Sequence, residues 1–392
     1  MQLEYFNKKS EKEILNFEPC VLNEDWNNKP NKLIRGNNLS VLKALLDTYN
    51  LTSKIDLVYI DPPFSTNNNF MIGKDRVSTI SSSRSDNIAY NDNLTGSKFL
   101  EFLRERLIFI RELMSDKASI YLHIDYKIGH YVKVLMDEIF GIKNFKNDIT
   151  RIKCNPKNFE RKAYGNIKDM ILFYTKSNNN TWNDPKDEFT KEDIEHLFKK
   201  VDKYGRRYTT IPLHAPGETQ NGATGQEWQG IKPPKGRHWR SNPNVLEELD
   251  KEELIEWSVN GVPRRKIYAD EKNGKRKQDI WKYKDAQYPS YPTEKNIEMI
   301  KTVILASSNT NDLVLDCFCG SGTTLQAAQE LNRYWIGIDE SVEAIKVTKN
   351  RLSKIENTLF SRAVEFQYIE EKRHIQRLES VLKGTIALGV TV

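Results

Sequence analysis

The sequence predicts an α/β fold, a doubly wound and mostly parallel sheet with an irregular domain inserted in it. Three observations predict it. Residues 55–60 read Ile-Asp-Leu-Val-Tyr-Ile, a short apolar run of the kind buried on both faces of a sheet, and Asp61-Pro62-Pro63-Phe64 ends it at once. Far downstream, Asp312-Leu-Val-Leu-Asp316 leads into Cys-Phe-Cys-Gly-Ser-Gly-Thr-Thr, a helical stretch, and Tyr334-Trp-Ile-Gly-Ile-Asp339. That is strand, glycine turn, helix and second strand with an acidic end. Between and around these segments, apolar residues at helical spacing alternate with short strand-like runs.

Taken in order, residues 1–31 are polar and Asn-rich with little periodicity, and read as an N-terminal extension. Lys32-Leu-Ile-Arg-Gly-Asn-Asn then reads as a short strand and turn, and residues 39–46 as an amphipathic helix. Residues 65–96 are rich in Asn, Ser and Thr without an apolar face. A stretch of that length is either a segment that closes over a ligand or a floppy insertion. Phe99, Leu103, Leu107, Ile110 and Leu113 place a helix over 97–114. Strands follow at 118–124, 148–152 and 170–174, with a helix at 128–140. His123, at a strand end near Asp125, reads as a hydrogen-bonded structural histidine. Residues 293–307 predict a helix capped by Thr293, residues 341–355 another capped by Ser341, and 364–369 a strand followed by a short charged helix. No function is assigned to 358–392.

Between about 178 and 289 the character changes. Prolines, glycines and aromatics are frequent, and the one regular helix expected is 244–257. The formal charge of the chain is +6, but residues 151–290 carry 28 Lys+Arg against 21 Asp+Glu, so the basic excess lies between the Asp61 turn and the glycine turn. Arg206-Arg207, the 232–240 run with Arg237, Arg264-Arg265-Lys266 and the 272–277 run with Lys275 are its clusters. Trp228, Trp239, Trp257 and Trp281 lie among them. Basic turns with aromatics suit a nucleic-acid backbone, although a small irregular domain also needs tryptophans for its core; the basic turns are assigned to phosphates and most tryptophans to packing.

Composition narrows the class. No apolar run is long enough to span a bilayer, and the N-terminus has no signal-peptide core. The four cysteines form no zinc-type pairs, and Cys317 and Cys319 are too close for an ordinary disulfide, so reduced thiols in a cytoplasmic protein are expected, with no metal site.

The two turns carry the chemistry. Asp61 stands at a strand's C-terminal end, where open α/β sheets bind ligands, and Pro62 and Pro63 stiffen its turn. On that segment alone, a Pro-rich turn with Asp61 as a cap is an equal reading. Gly320 and Gly322 allow backbone to approach a ligand, and Asp339 is placed to accept ribose hydroxyls. A nicotinamide site has the same outline, but its fingerprint wants a glycine where Leu325 stands.

Together, Asp61-Pro62-Pro63-Phe64 and Phe318-Cys319-Gly320-Ser321-Gly322 resemble the catalytic D-P-P-F and cofactor F-x-G-x-G motifs of the DNA amino-methyltransferases. Their order, catalytic motif first, is similar to the permuted β group of that family, and Tyr-Pro-Thr-Glu-Lys at 291–295 adds to the likeness. The resemblance implies a sheet of the S-adenosylmethionine-dependent methyltransferase type. It implies S-adenosylmethionine as cofactor, held by Asp316, Phe318, Cys319, Gly320, Ser321, Gly322, Thr323, Asp339 and Lys295. Asn37 and Asn38 stand where relatives carry an acidic residue and are either cofactor contacts or cap residues. Catalysis falls to Asp61, Pro62, Pro63 and Phe64, the carboxylate and the Pro62 carbonyl accepting from the target amine while Phe64 stacks on the base. The implied reaction is N6 methylation of a flipped-out adenine in double-stranded DNA; N4-cytosine methylation, or an idle DNA-binding subunit, are the alternatives. The implied layout is a catalytic half at 32–177, target recognition at 178–289 through Arg206, Arg207, Arg237, Arg264, Arg265, Lys266 and Lys275, and a cofactor half at 290–357. A cognate restriction endonuclease and a homodimer are the further partners the family suggests.

Overall fold

The computed structural model describes residues 3–22, 26, 29–63, 69–73, 76–78, 87–91, 96–156, 160, 162–219, 221–285, 294–355 and 364–372. The chain divides into two compact units, Met1–Asn183 with Gln278–Val392, and Asp184–Lys277. The boundaries of the second unit lie inside the expected 178–289.

The first unit is organised by a sheet whose strands are β1 (Asn31–Arg35), β2 (Ile55–Ile60), β3 (Met114–Ile124), β4 (Phe145–Ile152), β5 (Lys168–Thr175), β6 (Ile280–Trp281), β7 (Leu313–Asp316), β8 (Tyr334–Asp339) and β9 (Phe366–Glu370). Across the sheet they run β6-β4-β5-β3-β2-β7-β8-β1-β9. β5 is antiparallel to both its neighbours, and the other adjacent pairs are parallel. The expected doubly wound, mostly parallel sheet is therefore the fold. Side chains alternate across it as the pleat requires: along β2, Val58 and Ile60 enter one apolar core while Leu57 and Tyr59 enter the other. Helices α1 (Asn38–Asp47), α2 (Ser97–Leu113) and α3 (Tyr126–Phe140) fill the first core. Helices α4 (Ile297–Ser307), α5 (Thr323–Glu330) and α6 (Val342–Ser353) fill the second.

Several boundaries move for local reasons. α3 starts at Tyr126 because the Asp125 side chain accepts from the Lys127 N–H at 2.9 Å. α4 starts at Ile297, capped by Asn296, whose side-chain oxygen accepts from Glu298 and Met299; the expected cap Thr293 lies outside the described residues. The stretch read as irregular holds three short antiparallel strands, Asn69–Gly73, Arg76–Ser78 and Asn87–Asn91. The charged helix expected near the C-terminus lies outside the described residues. No helix among the described residues is long and apolar enough to cross a membrane.

In the second unit, Lys200–Val201, Arg207–Pro212, Pro263–Tyr268 and Ile255–Trp257 form an antiparallel sheet in that order. The helix expected over 244–257 spans only Pro243–Lys251. Glu253 takes a left-handed φ of 58° and the Leu254 N–H reaches back to the Leu249 carbonyl, which closes the helix and frees Ile255–Trp257 to join the sheet. Trp228 and Trp239 pack with Leu213, Leu246, Leu249 and Ile255, and the more exposed Trp257 stacks on Trp228. Packing is thus where Trp228 and Trp239 go.

The third fingerprint glycine is replaced by a different close approach. Leu325 of α5 is fully buried against Gly337 of β8, where a Cβ would lie 2.4 Å from the leucine Cδ1. Gly337→Ala should cost about 1–3 kcal/mol by overpacking, read as a lower melting temperature, and Leu325→Ala in the same chain should restore part of it. An unchanged melting temperature for Gly337→Ala would mean that this contact does not set the helix-to-sheet distance.

Candidate active site

The parallel pairing of β2 with β7 brings the two sequence turns to one edge of the sheet. Asp61 leaves β2 there and Asp316 ends β7. At the opposite end, the Asp56 carboxylate accepts from the Leu313 N–H at 3.1 Å and from Ser115 Oγ at 2.9 Å, locking the registers of three strands.

Asp61 is held on two sides. Its Oδ2 lies 2.7 Å from Lys295 Nζ, and its Oδ1 lies 3.6 Å from His123 Nδ1. That second distance is too long for a hydrogen bond, and Oδ1 is buried with no hydrogen-bond partner among the described residues. A buried carboxylate oxygen in that condition is costly unless a donor arrives. Pro62 and Pro63 follow, so the turn offers carbonyls and no N–H at those positions.

The glycine turn is built from within. Gly320 (φ 50°) and Gly322 (φ 78°) both take left-handed backbone, and a Cβ on Gly322 would come within 2.7 Å of Thr348. Thr348 Oγ1 donates to the Gly320 carbonyl, tying α6 to the turn. Asp339 accepts from the N–H groups of Gly320 and Ser341, each at 2.9 Å, and Asp316 accepts from the Phe318 N–H at 3.0 Å. Burial pushes the Asp316 carboxyl up to about 7, with Asp61 and Asp339 adding to the rise against hydrogen bonds from Thr324 and Phe318. Burial likewise pushes Asp339 up to about 6, with Glu340 adding and the Ser341 and Gly320 N–H groups opposing. Ser321 and Thr323 are buried with their hydroxyls 3.3 Å apart. The Cys317 and Cys319 thiols are buried and pushed up by burial, and all four cysteines are free. No group of ligating residues that could hold a metal occurs among the described residues.

Asn37 is a helix cap: its side chain accepts from the Leu39 N–H, while its own N–H donates to Glu371. Asn38 instead reaches the cofactor turn, donating to the Cys317 carbonyl at 2.9 Å and accepting from the buried Arg106. Lys295, assigned above to the cofactor, is ion-paired with Asp61. Phe64 lies outside the described residues. His123, which reads in the sequence as structural, lies between Asp61 and Asp169, and the Tyr59 hydroxyl is 3.1 Å from its Nδ1; the histidine at a strand end is the signal for it. In the second unit, Arg206 is held by Asp270 and Glu271 and lies over the Tyr268 ring, and Lys275 is held by Asp193. Arg264 donates to Thr210, Arg207 to the Phe198 carbonyl, and Arg237 lies 3.2 Å from His214 Nδ1. Lys266 lies over the Tyr208 ring. Arg265 is exposed and has no carboxylate partner among the described residues.

A left-handed glycine turn between two parallel strands, an acid at the end of the second, and a carboxylate–proline turn on the neighbouring strand meet at one edge of the sheet, the edge where open α/β enzymes hold their ligands. The chain belongs to the DNA methylase family, whose N6_N4_Mtase model matches residues 55–350. That family spans N6-adenine and N4-cytosine enzymes and uses S-adenosylmethionine. Over 333 residues the chain is 43% identical to the Type II methyltransferase M.EcaI of Enterobacter cloacae, covering 83% of this chain and 70% of that one. It is 25% identical to the Mod subunit of the Type III restriction-modification enzyme StyLTI of Salmonella typhimurium, covering 78% of this chain and 50% of that one. The chain thus spans about half the length of that relative. The crystal structure of the M1.HpyAVI–SAM complex overlaps at a TM-score of 0.44 and 16% identity, covering 82% of this chain and 98% of that one.

The residues fit a cationic methyl donor. Asp316 and Asp339 are both held above the ordinary carboxylate range by burial, and a positive ligand favours their charged forms. The sign follows: these two groups favour the folded, ligand-free protein when protonated, and that contribution is lost as pH rises through about 6 to 7. S-adenosylmethionine should therefore raise the melting temperature more at pH 8 than at pH 5.5, and bind more tightly there by titration calorimetry. Equal shifts at both pH values would separate these carboxylates from the cation.

Proposed function

We propose that this protein transfers a methyl group from S-adenosylmethionine to the N6 amine of a flipped-out adenine in double-stranded DNA. The observation that carries the reading is the buried Asp61 Oδ1, without a hydrogen-bond partner among the described residues, on a proline-stiffened turn beside the glycine turn. An exocyclic amine is a poor nucleophile because its lone pair is delocalised into the ring. Asp61 Oδ1 and the Pro62 carbonyl accept its two N–H groups, which pyramidalises the nitrogen and aims the lone pair; the prolines hold both acceptors in place. Phe64 provides the face on which the base stacks once it leaves the duplex. The Gly320–Gly322 turn with Ser321 and Thr323 receives the cofactor's methionine portion, Asp339 the ribose, and Asp316, Phe318, Cys319 and Asn38 line the same pocket. The bound cofactor supplies an electrophilic methyl group on a sulfonium. Lys295 fixes the rotamer of Asp61 from the side away from the amine.

Adenine is favoured over cytosine by the D-P-P-F form of the motif, in which Asp61 and not a serine holds the first position. The relatives' names, a Type II methyltransferase and a Type III Mod subunit, favour a modification enzyme with a cognate endonuclease. Nucleoside analysis of DNA from cells expressing the protein should show N6-methyladenine; N4-methylcytosine would transfer the same mechanism to the other base. Asp61→Ala should lower single-turnover methyl transfer roughly a hundredfold or more while leaving S-adenosylhomocysteine affinity unchanged. Near-normal transfer by that variant would end the reading.

The unit Asp184–Lys277 is assigned to reading the DNA sequence, on its clusters of basic residues and its separate core. Alternation along Pro263–Tyr268 puts Arg264 and Lys266 on one face and Arg265 on the other. Arg265 and Arg237, both exposed, are the better phosphate ligands; Arg206 and Lys275 already have carboxylates. Removing Arg237 and Arg265 should weaken DNA binding and lower the log–log salt slope by about one for each phosphate no longer engaged. An unchanged slope would place the backbone-binding residues elsewhere.

A further inference from the structure

We propose that the buried His123–Asp169 pair takes up the proton that leaves the target amine, receiving it through Asp61. The proposal rests on the reading of Asp61 as the amine's acceptor.

His123 stands at the C-terminal end of β3, wholly inaccessible to solvent. Its two nitrogens face two carboxylates: Nδ1 is 3.6 Å from Asp61 Oδ1, and Nε2 is 3.3 Å from Asp169 Oδ2. Asp169 is itself buried, with Lys153 Nζ 2.6 Å from its Oδ1 and Arg151 NH1 3.8 Å from its Oδ2. Burial works to raise the Asp169 carboxyl, but His123 and Lys153 outweigh it and hold the group well below the usual range. An ionised Asp169 can only accept, so Nε2 carries the ring proton and Nδ1 is the basic nitrogen, with the Tyr59 hydroxyl at 3.1 Å and Asp61 Oδ1 at 3.6 Å. The Tyr59 hydroxyl, 3.1 Å from Nδ1, serves both states of the ring: it donates to bare Nδ1 and turns to accept once Nδ1 is protonated.

Methyl transfer makes this useful. The amine lone pair forms a bond to the methyl carbon as the carbon–sulfur bond breaks, its pair staying on sulfur. The nitrogen then carries a positive charge and sheds one proton. Asp61 Oδ1 takes it, since Oδ2 is engaged by Lys295. Passing the proton on to Nδ1 within the same turnover keeps the Asp61 carboxylate charged while the nitrogen is still losing its proton, and leaves an imidazolium between two carboxylates. The proton returns through Oδ1 to solvent when the product base leaves. A purely structural histidine would need only one of these carboxylates.

The groups acting on His123 are Tyr59 of β2, Asp61 just beyond it, Asp169 of β5 and Lys295 from the approach to α4; Arg151 of β4 and Lys153 at its end act on Asp169. Asp316 of β7 acts on Asp61. Burial pushes His123 down and Lys295 adds to that, against the upward pull of Asp169 and Asp61; the net shift is downward. The ring is therefore neutral, and able to accept, at neutral pH, and loses that ability on acidification.

The test uses the full chain, in excess over plasmid DNA from a methylation-deficient host, with single-turnover transfer of labelled methyl followed from pH 5.5 to 9. His123→Asn removes the base, and Asp169→Asn offers Nε2 an amide N–H and so moves the ring proton to Nδ1. Both should lower the rate at pH 7.5 tenfold or more while S-adenosylhomocysteine affinity stays within twofold, and His123→Asn should lose the acid limb of the wild-type profile. If His123→Asn fails to fold, the Asp169→Asn rate decides. A wild-type rate and profile in a folded variant, or a lost rate that tracks lost cofactor binding, overturns the proposal. Asp61→Ala run alongside separates the two readings: if it is inactive while both variants are normal, only the relay fails, and if it is active, the underlying role of Asp61 fails.

Discussion

Everything at the site depends on one parallel strand pairing. β2 and β7 come from opposite ends of the first unit's sequence, yet the Asp56 carboxylate bonds the Leu313 N–H across 257 residues of chain. Side-by-side parallel strands end on the same edge, so the turn that follows β2 and the turn that follows β7 must adjoin. No loop has to be long or unusual for this. The order in which the two turns occur along the chain is then immaterial to the chemistry, because the sheet and not the sequence sets their distance.

That edge is strongly acidic. Asp61, Asp316 and Asp339 converge with Lys295 as a cation paired to one of them, and burial raises the other two. An arrangement that destabilises the empty protein favours a cationic ligand. Behind Asp61, the buried Asp169 carboxylate meets His123, Lys153 and Arg151; Arg151 is fully buried and also engages the Tyr283 carbonyl and Asp285. A buried network of this density is costly unless its members are satisfied, and it leaves Asp61 Oδ1 and Arg151 NH1 without a hydrogen-bond partner among the described residues.

The second unit makes a different compromise. Its basic residues form runs in the sequence, but the fold uses several of them internally: Arg206 on two carboxylates, Lys275 on Asp193, Arg264 on the Thr210 strand edge. Exposed ion pairs of this kind contribute little and can exchange for phosphate, so they do not bar DNA from binding there, yet they shift the expectation toward Arg237 and Arg265. Tryptophans interleaved with the basic runs serve mainly the small core built on Trp228 and Trp239.

What the sequence determined by itself is what local chemistry controls. Apolar runs of strand length, the Pro62-Pro63 stop, the Gly320 and Gly322 turn and the Ser341 cap all act within a few residues of themselves, and each is found where expected. Helix starts at Tyr126 and Ile297 differ because Asp125 and Asn296 compete for the cap by side-chain geometry, which several nearby polar residues could have supplied. The remainder was decided by tertiary structure. That Lys295 meets Asp61, that His123 lies between Asp61 and Asp169, and that Leu325 is matched by Gly337 all depend on strand order and on which face a side chain leaves. The Arg264-Arg265-Lys266 run shows the reason most simply: three adjacent positive charges look like one patch in a sequence, and the two-residue period of a strand sends them to opposite faces of a sheet.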